Sequence, residues 1–450
     1  MNEIKILSTT AILGYGFPMA SFEAGMAHHP DCIAVDAGST DPGPYYLGAG
    51  VSFTDRFAVK RDLGIMIAAG IEHHIPVLVG SAGGSGAKPH LDWALDIIRE
   101  IAIEQGLHFK MAVITADFDP ADVLAAHRAG KLKPLHPAPE ATEDDIIRST
   151  HIVGQMGVEP YLEALKTGAD VIVAGRAYDP AVFAALPILK GFDKGLALHC
   201  GKILECAAIA STPGSGSDCM LGTITDDSFI LQTLNPVRRC TTLSVSAHTL
   251  YEKTDPYVLP GPGGTIDLHD CVFTQLDEQR VEVKGSRFIP SNPYTIKLEA
   301  AKVVGYRTVS IAGVRDPYFI QKVDAIIDGV TQRVNDNFKT LKDYHLNFKV
   351  YGRDGVMGSL EPQKTITSHE LAIVIDAVAP TQDIANTICS FARSTMLHYG
   401  YEGRIATAGN LAFPYSPSDF KVGPVYNFSL YHLLAVSDPV APFKLSLITL

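Results

Sequence analysis

The stretch Ile75-Pro-Val-Leu-Val-Gly80-Ser81-Ala-Gly83-Gly84-Ser85-Gly86-Ala-Lys-Pro89-His90 decides the fold. An apolar run ends at Gly80, a glycine-rich loop follows, and Leu91, Leu95, Ile98 and Ala102 then recur at helical spacing over 91–103. Pro89 suits a first helical turn, where its missing N–H would have no partner anyway. The segment therefore reads strand, tight turn, helix. Its order, G-x-x-G-G-x-G, is neither the dinucleotide fingerprint nor the P-loop. Glycines let backbone approach a ligand closely, and a helix N-terminus favours an anion. Contact with a ligand is thus expected from Ser81, Gly83, Gly84, Ser85 and Gly86. The alternative is a turn that only packs the helix on the sheet.

The same design recurs on both sides. Strands are expected at 5–8, 32–36, 111–115, 152–155 and 170–174, alternating with helices at 21–28, 61–73, 122–130, 159–168 and 181–189. Such alternation belongs to a parallel sheet with covering helices. Beyond about residue 235 the texture changes. Strands are expected at 237–246, 263–273, 280–283, 295–298, 306–313 and 348–351, with helices at 318–335 and 381–397. The expected organisation is α/β: a 1–235 domain with the glycine-rich loop, then a smaller α+β domain, 236–450, subdivided near 340.

The bulk properties narrow the class. In 450 residues, 46% hydrophobic content and a mean hydropathy of +0.13 indicate large cores. No run approaches the roughly 18 apolar residues of a membrane span. Met1-Asn-Glu-Ile-Lys leads straight into a strand and lacks the pattern of a secretory signal. A net charge of −12 disfavours nucleic acid or an anionic membrane as partner. The seven cysteines, with no C-x-x-C, fit reduced thiols, so a cytoplasmic location is expected. Neither H-E-x-x-H nor paired cysteine knuckles occur, so no metal residues are assigned, although a dispersed Asp/His site stays open.

Four constellations carry candidate chemistry. The first follows the strand 32–36: Asp36, Ser39, Asp41, Tyr45 and Tyr46. Either carboxylate can serve as a base if burial or its neighbour raises its pKa; the plain alternative is an Asx-turn. The second is Arg176, Tyr178 and Asp179. Arg176 offers a planar fork for a carboxylate or phosphate, or else an ion pair with Asp179 that braces the loop. The third is His199, Lys202, Glu205 and Cys206, expected on roughly one side of a helix. His199 and Glu205 suggest a proton relay; Cys206 reads as a nucleophile or as a small buried hydrophobe. The fourth is His248, Tyr251 and Glu252 before the Pro260-Gly-Pro-Gly-Gly264 loop, which either covers a pocket or only connects strands.

Five stretches together resemble the acyclic terpene utilisation (AtuA-type) family. They are Asp36-Ala-Gly-Ser-Thr-Asp41-Pro-Gly-Pro-Tyr45-Tyr46-Leu-Gly48, Gly80-Ser-Ala-Gly-Gly-Ser-Gly86, Gly175-Arg176-Ala-Tyr-Asp179, Ser246-Ala-His-Thr-Leu-Tyr-Glu252 and Gly403-Arg404-Ile-Ala-Thr-Ala-Gly-Asn410-Leu-Ala-Phe413-Pro414. The resemblance covers nearly the whole chain. It implies a cytoplasmic bacterial catabolic protein associated with branched acyl-CoA or dicarboxylate breakdown, with a small companion subunit in some members. It carries over no catalytic residues.

The expected activity is a lyase or hydratase step on a small carboxylic acid or acyl-CoA thioester, by proton abstraction next to a carbonyl. Asp36, Asp41, Tyr45, His199 and Glu205 are the catalytic candidates. Ser39, the glycine-rich loop, Arg176, Asp179, His248 and Tyr251 are the binding candidates. Coenzyme A enters only as part of the substrate, no cofactor is expected to be held tightly, and a homo-oligomer is expected. The rivals are a thioester hydrolase and a non-catalytic binding or scaffold subunit of a two-component enzyme.

Overall fold

The computed structural model describes residues 3–405 and 407–450. Met1 and Asn2 of the N-terminal reading, and Ala406 of the last quoted stretch, lie outside the described residues. The chain forms two units, Met1–Lys302 with Phe428–Leu450, and Val303–Asn427.

The first unit begins β1 (Ile4–Ser8), α1 (Met19–Ala27), β2 (Cys32–Asp36), α2 (Pro44–Ala49), α3 (Arg56–His73), β3 (Val77–Gly80), α4 (Lys88–Gln105) and β4 (Lys110–Ile114). There follow α5 (Pro120–Arg128), β5 (Leu132–Pro134), α6 (Glu143–Ile147), β6 (Ser149–Gln155), α7 (Glu159–Lys166), β7 (Val171–Ala174), α8 (Ala181–Leu189) and α9 (Lys194–Leu204). Next come β8 (Met220–Ile224), β9 (Ser228–Thr233), α10 (Thr242–Thr249), β10 (Val258–Gly261), β11 (Gly264–Asp267), β12 (Val272–Gln275), β13 (Arg280–Lys284) and β14 (Arg287–Pro290). Strand β15 (Tyr294–Val314) carries the chain into the second unit, which holds α11 (Pro317–Gln321), α12 (Val323–Asn337), β16 (His345–Tyr351), β17 (Leu371–Ala379) and α13 (Gln382–Leu397). Strand β18 (Asp419–Val436) brings it back, and β19 (Leu445–Thr449) ends it.

The α/β class holds. The main sheet has ten strands in the order β12-β13-β9-β8-β1-β2-β3-β7-β4-β19. Its middle, from β1 to β4, is parallel, and antiparallel strands extend both sides. The parallel strands read Cys-Ile-Ala-Val-Asp, Val-Leu-Val-Gly and Val-Ile-Val-Ala and are buried throughout, because helices cover both faces. One face packs Leu7, Val35, Val79 and Val173 against Phe22, Met66 and Ile98 of α1, α3 and α4. The other packs Ile6, Ala34, Leu78 and Ile172 against Tyr161, Val182 and Ile203 of α7, α8 and α9.

The division differs from the expected break at 235. Strands β8, β9, β12 and β13 zip onto the edge of the parallel sheet, so most of the later β-rich segment belongs to the first unit. The expected strand 237–246 is overturned in its second half: residues 242–246 belong to helix α10, because Thr241 and Ser244 form a reciprocal capping box. The expected strands 295–298 and 306–313 are halves of β15. Its first half pairs with β6 and its second with β17. In the second unit, α12 and α13 bury Val330, Val334, Ile388 and Ala392 against β17. Among the described residues no helix is long and apolar enough to cross a membrane.

Candidate active site

The loops after β2, β3 and β7 leave the carboxyl edge of neighbouring parallel strands, where open α/β sheets hold ligands. A cavity of about 480 Å³ opens there in the first unit. Arg176 and Asp179 from the β7 loop, and Lys202 and Glu205 at the end of α9, face into it. Lys253 follows α10, Lys297 lies on β15, and Asp41 lies on the β2 loop.

Arg176 is only 2% exposed and is the hub. Its Nε donates to Glu299 at 2.7 Å. Its Nη1 donates to Ser81 Oγ at 3.1 Å, to the Ala177 carbonyl at 2.8 Å and to Asp179 at 2.9 Å. Its Nη2 has no protein partner among the described residues. The bracing pair with Asp179 is therefore present, and one prong stays open to a ligand. Glu299 is fully buried and also accepts from Lys297 at 2.8 Å and from Thr40 at 2.9 Å. Burial alone would raise its pKa, but Arg176 and Lys297 outweigh it and hold the carboxyl at about 2.

Helix α9 delivers the second half of the site. Asp193 caps its start by accepting from the Leu196 amide. Lys202 and Glu205 form a short buried ion pair at its end. Glu205 Oε2 is buried without a partner. Burial, assisted by Asp179 and opposed by Lys202, raises Glu205 to about 7. Lys202 is held above its ordinary value, because Glu205 outweighs the cost of burying its charge.

Asp36 is buried and does not line the cavity. Its Oδ2 accepts from the Gly38 amide at 3.2 Å, and its Oδ1 has no partner. Burial and then Asp179 push its pKa well up, with Arg176 acting against them. Asp41 sits on the cavity rim, bonded to Ser39 at 2.7 Å, so Asp36 and Asp41 do not converge on one point. Tyr45 packs against Tyr46 on α2 and does not line the cavity.

Other candidates fall elsewhere. His199 and Glu205 make no pair. His199 Nδ1 lies 2.7 Å from Ser286 Oγ and its Nε2 3.0 Å from Thr249 Oγ1, with Phe229 and Phe273 against the ring. Each three-residue helical step falls about 60° short of a full turn, so His199 and Glu205 point about 120° apart. Burial lowers His199 to about 3, so it is a neutral core residue. Cys206 has its thiol pushed up by burial and Glu205, the opposite of an activated nucleophile. His248 is buried and stacks on Tyr251 at 5.3 Å; it reaches the site only through that ring, which Lys202 approaches at 5.3 Å.

The glycine-rich loop serves the site from behind. None of Ser81, Gly83, Gly84, Ser85 or Gly86 lines the cavity. At Gly86, φ is +67° and a Cβ would lie 2.1 Å from the Arg176 amide nitrogen; at Gly84 it would lie 2.7 Å from the Phe53 ring. The glycines thus let two loops touch, and Ser81 Oγ holds Arg176 and the Ala177 amide. The Pro/Gly loop 260–264 does border the cavity, together with Glu252 and Lys253. Among the described residues no group of three or more His, Cys, Asp or Glu is arranged to hold a metal ion.

Sequence reasoning passed over Glu299, Lys297, Lys253 and Tyr161. Lys297 and Glu299 had a signal: they alternate with Ile296 and Leu298, so two opposite charges share one face of a strand. Lys253 and Tyr161 had none.

A family model described as acyclic terpene utilisation family protein AtuA matches residues 59–217 and 227–414. The chain belongs to this family, as its quoted motifs indicated. No curated protein and no solved structure matches it.

Proposed function

We propose that this chain is an enzyme that binds a small carboxylic acid, or the acyl part of a coenzyme A thioester, and removes a proton next to its carbonyl. The step belongs to a lyase or hydratase. Coenzyme A enters only as part of the substrate. The observation that carries the reading is Glu205: a buried carboxyl with a pKa raised to about 7 and a free Oε2, in a cavity of about 480 Å³. A base poised near neutral pH combines adequate ionisation with adequate basicity.

The surroundings support an anionic substrate. Arg176 and Lys297 share Glu299, Lys202 adds a further cation, and Arg176 keeps Nη2 free. Arg176 and Lys202 are buried side chains held by fixed partners, so they stabilise a developing enolate with little reorganisation. Tyr161 and Asp36 stand behind the site as buried acids: a Cβ on Gly80 would lie 3.3 Å from Tyr161 Oη and 3.4 Å from Asp36 Oδ1.

The test is deuterium incorporation. Purified protein in D2O is offered short dicarboxylates, oxo acids and branched acyl-coenzyme A esters, and the C–H next to each carbonyl is followed by proton NMR. Exchange with at least one class is expected, with a large loss in Glu205→Gln. Binding of a ligand in the cavity without exchange across the whole set would favour the binding-subunit alternative.

A further inference from the structure

Three lysines line the cavity, and their surroundings differ; Lys297 is tied to Glu299 at 2.8 Å. Lys202 is tied to Glu205 in a short buried ion pair. Lys253 lines the same cavity, yet its Nζ makes no hydrogen bond or ion pair with the described residues. Its backbone is fixed: the Lys253 amide donates to the Leu250 carbonyl at 3.1 Å in the turn that closes α10. Burial and then the nearby charge of Lys202 lower its ammonium below 10.5, with Glu205, Asp179 and Glu252 acting against them. A desolvated amine beside a second cation, with no acceptor to hold its proton, is the setting in which lysine becomes a nucleophile toward carbonyls.

We propose that Lys253 forms an imine with the ketone carbon of an oxo-acid substrate whose carboxylate is held by Arg176. This deepens the proposed function and rests on it, because it takes the same cavity as the substrate site. The Lys253 nitrogen lone pair forms the new C–N bond to the carbonyl carbon. The C–O bond then breaks, the oxygen leaves as water with the two amine hydrogens, and the imine nitrogen takes up from solvent the proton that the Lys253 ammonium had given up before the attack. No oxidant or reductant is needed. The protonated imine withdraws electrons from the neighbouring C–H, and Glu205 Oε2 is the base that receives that proton. Lys202, held charged by Glu205, is the cation that keeps Lys253 ready to lose its proton.

The experiment is hydride trapping on the full chain. Acetoacetate and levulinate serve as probes, each with sodium borohydride, and modified lysines are mapped by peptide mass spectrometry. Labelling at Lys253 is expected to exceed that at an exposed lysine such as Lys88 by about tenfold or more. It should vanish in Lys253→Arg, which keeps the charge and cannot form an imine. Trp93 fluorescence and circular dichroism verify that this variant is folded. Labelling absent from Lys253, or spread evenly over exposed lysines, overturns the inference. Deuterium exchange of the same probes separates it from the base assignment. Exchange in wild type without a Lys253 adduct sinks the imine and spares the Glu205 base. A Lys253 adduct with undiminished exchange in Glu205→Gln spares the imine and sinks the base.

Discussion

Replacing Glu299 by Gln tests whether the buried charge network holds the site together. Glu299 is fully buried and serves Arg176, Lys297 and Thr40 at once. Gln keeps the shape and loses the charge, so two buried cations would face each other without their shared counter-ion. Removing one partner of a buried ion pair costs about 3–5 kcal/mol. The titration of Glu299 gives a similar figure: a fall from 4.5 to about 2, at about 1.4 kcal/mol per pH unit, is about 3 kcal/mol at neutral pH. The sign follows from linkage. A depressed folded-state pKa gives stability that is full above about pH 4.5 and is lost as pH falls toward about 2. The wild-type and Glu299→Gln stabilities should therefore differ most at neutral pH and converge in acid. The assay is urea unfolding followed by fluorescence of Trp93, the single tryptophan, which packs in the first unit and so reports on it alone. A loss below about 1 kcal/mol at neutral pH, or the same acid sensitivity in both proteins, would refute the reasoning.

Further predictions concern the base, the brace and the loop contact. Glu205→Gln should lower exchange or turnover by about 10²–10⁴-fold, while wild-type activity should rise with pH through about 7 as Glu205 ionises; a pH-independent rate across that range would remove Glu205 as the base. Arg176→Lys cannot reproduce the Nε and Nη1 contacts to Glu299 and Asp179, so it should unfold at lower urea than wild type and bind acid probes more weakly; calorimetric titration showing unchanged binding would mean that the free Nη2 meets no ligand. Gly86→Ala puts a Cβ 2.1 Å from the Arg176 amide in a left-handed turn, and should cost several kcal/mol or prevent folding; a soluble variant with the wild-type unfolding midpoint would contradict the described packing.

What the sequence determined by itself was the order of local elements in the α/β part. The runs 32–35, 77–79 and 171–174 are apolar at every position before a polar or glycine-rich continuation, and a strand covered on both faces accommodates that pattern. Parallel strands end on one edge, so the strand pattern alone brings the loops that carry Asp36, Ser81 and Arg176 to the same side of the sheet. The tertiary structure decided what these residues do there. Arg176 finds its principal partner, Glu299, far along the chain, and no local rule connects the two. Gly84 and Gly86 lie where the glycine-rich loop meets Phe53 and the Arg176 backbone. Helical drift turned His199 into the core and left Glu205 in the cavity. Lys253 stands in a loop without any motif, and only packing beside Lys202 gives it chemical character. Periodicity, caps and turns are written locally, because they arise from neighbouring residues. Burial and charge pairing depend on which distant elements come to share a low-dielectric space, and that is set only when the whole sheet has closed.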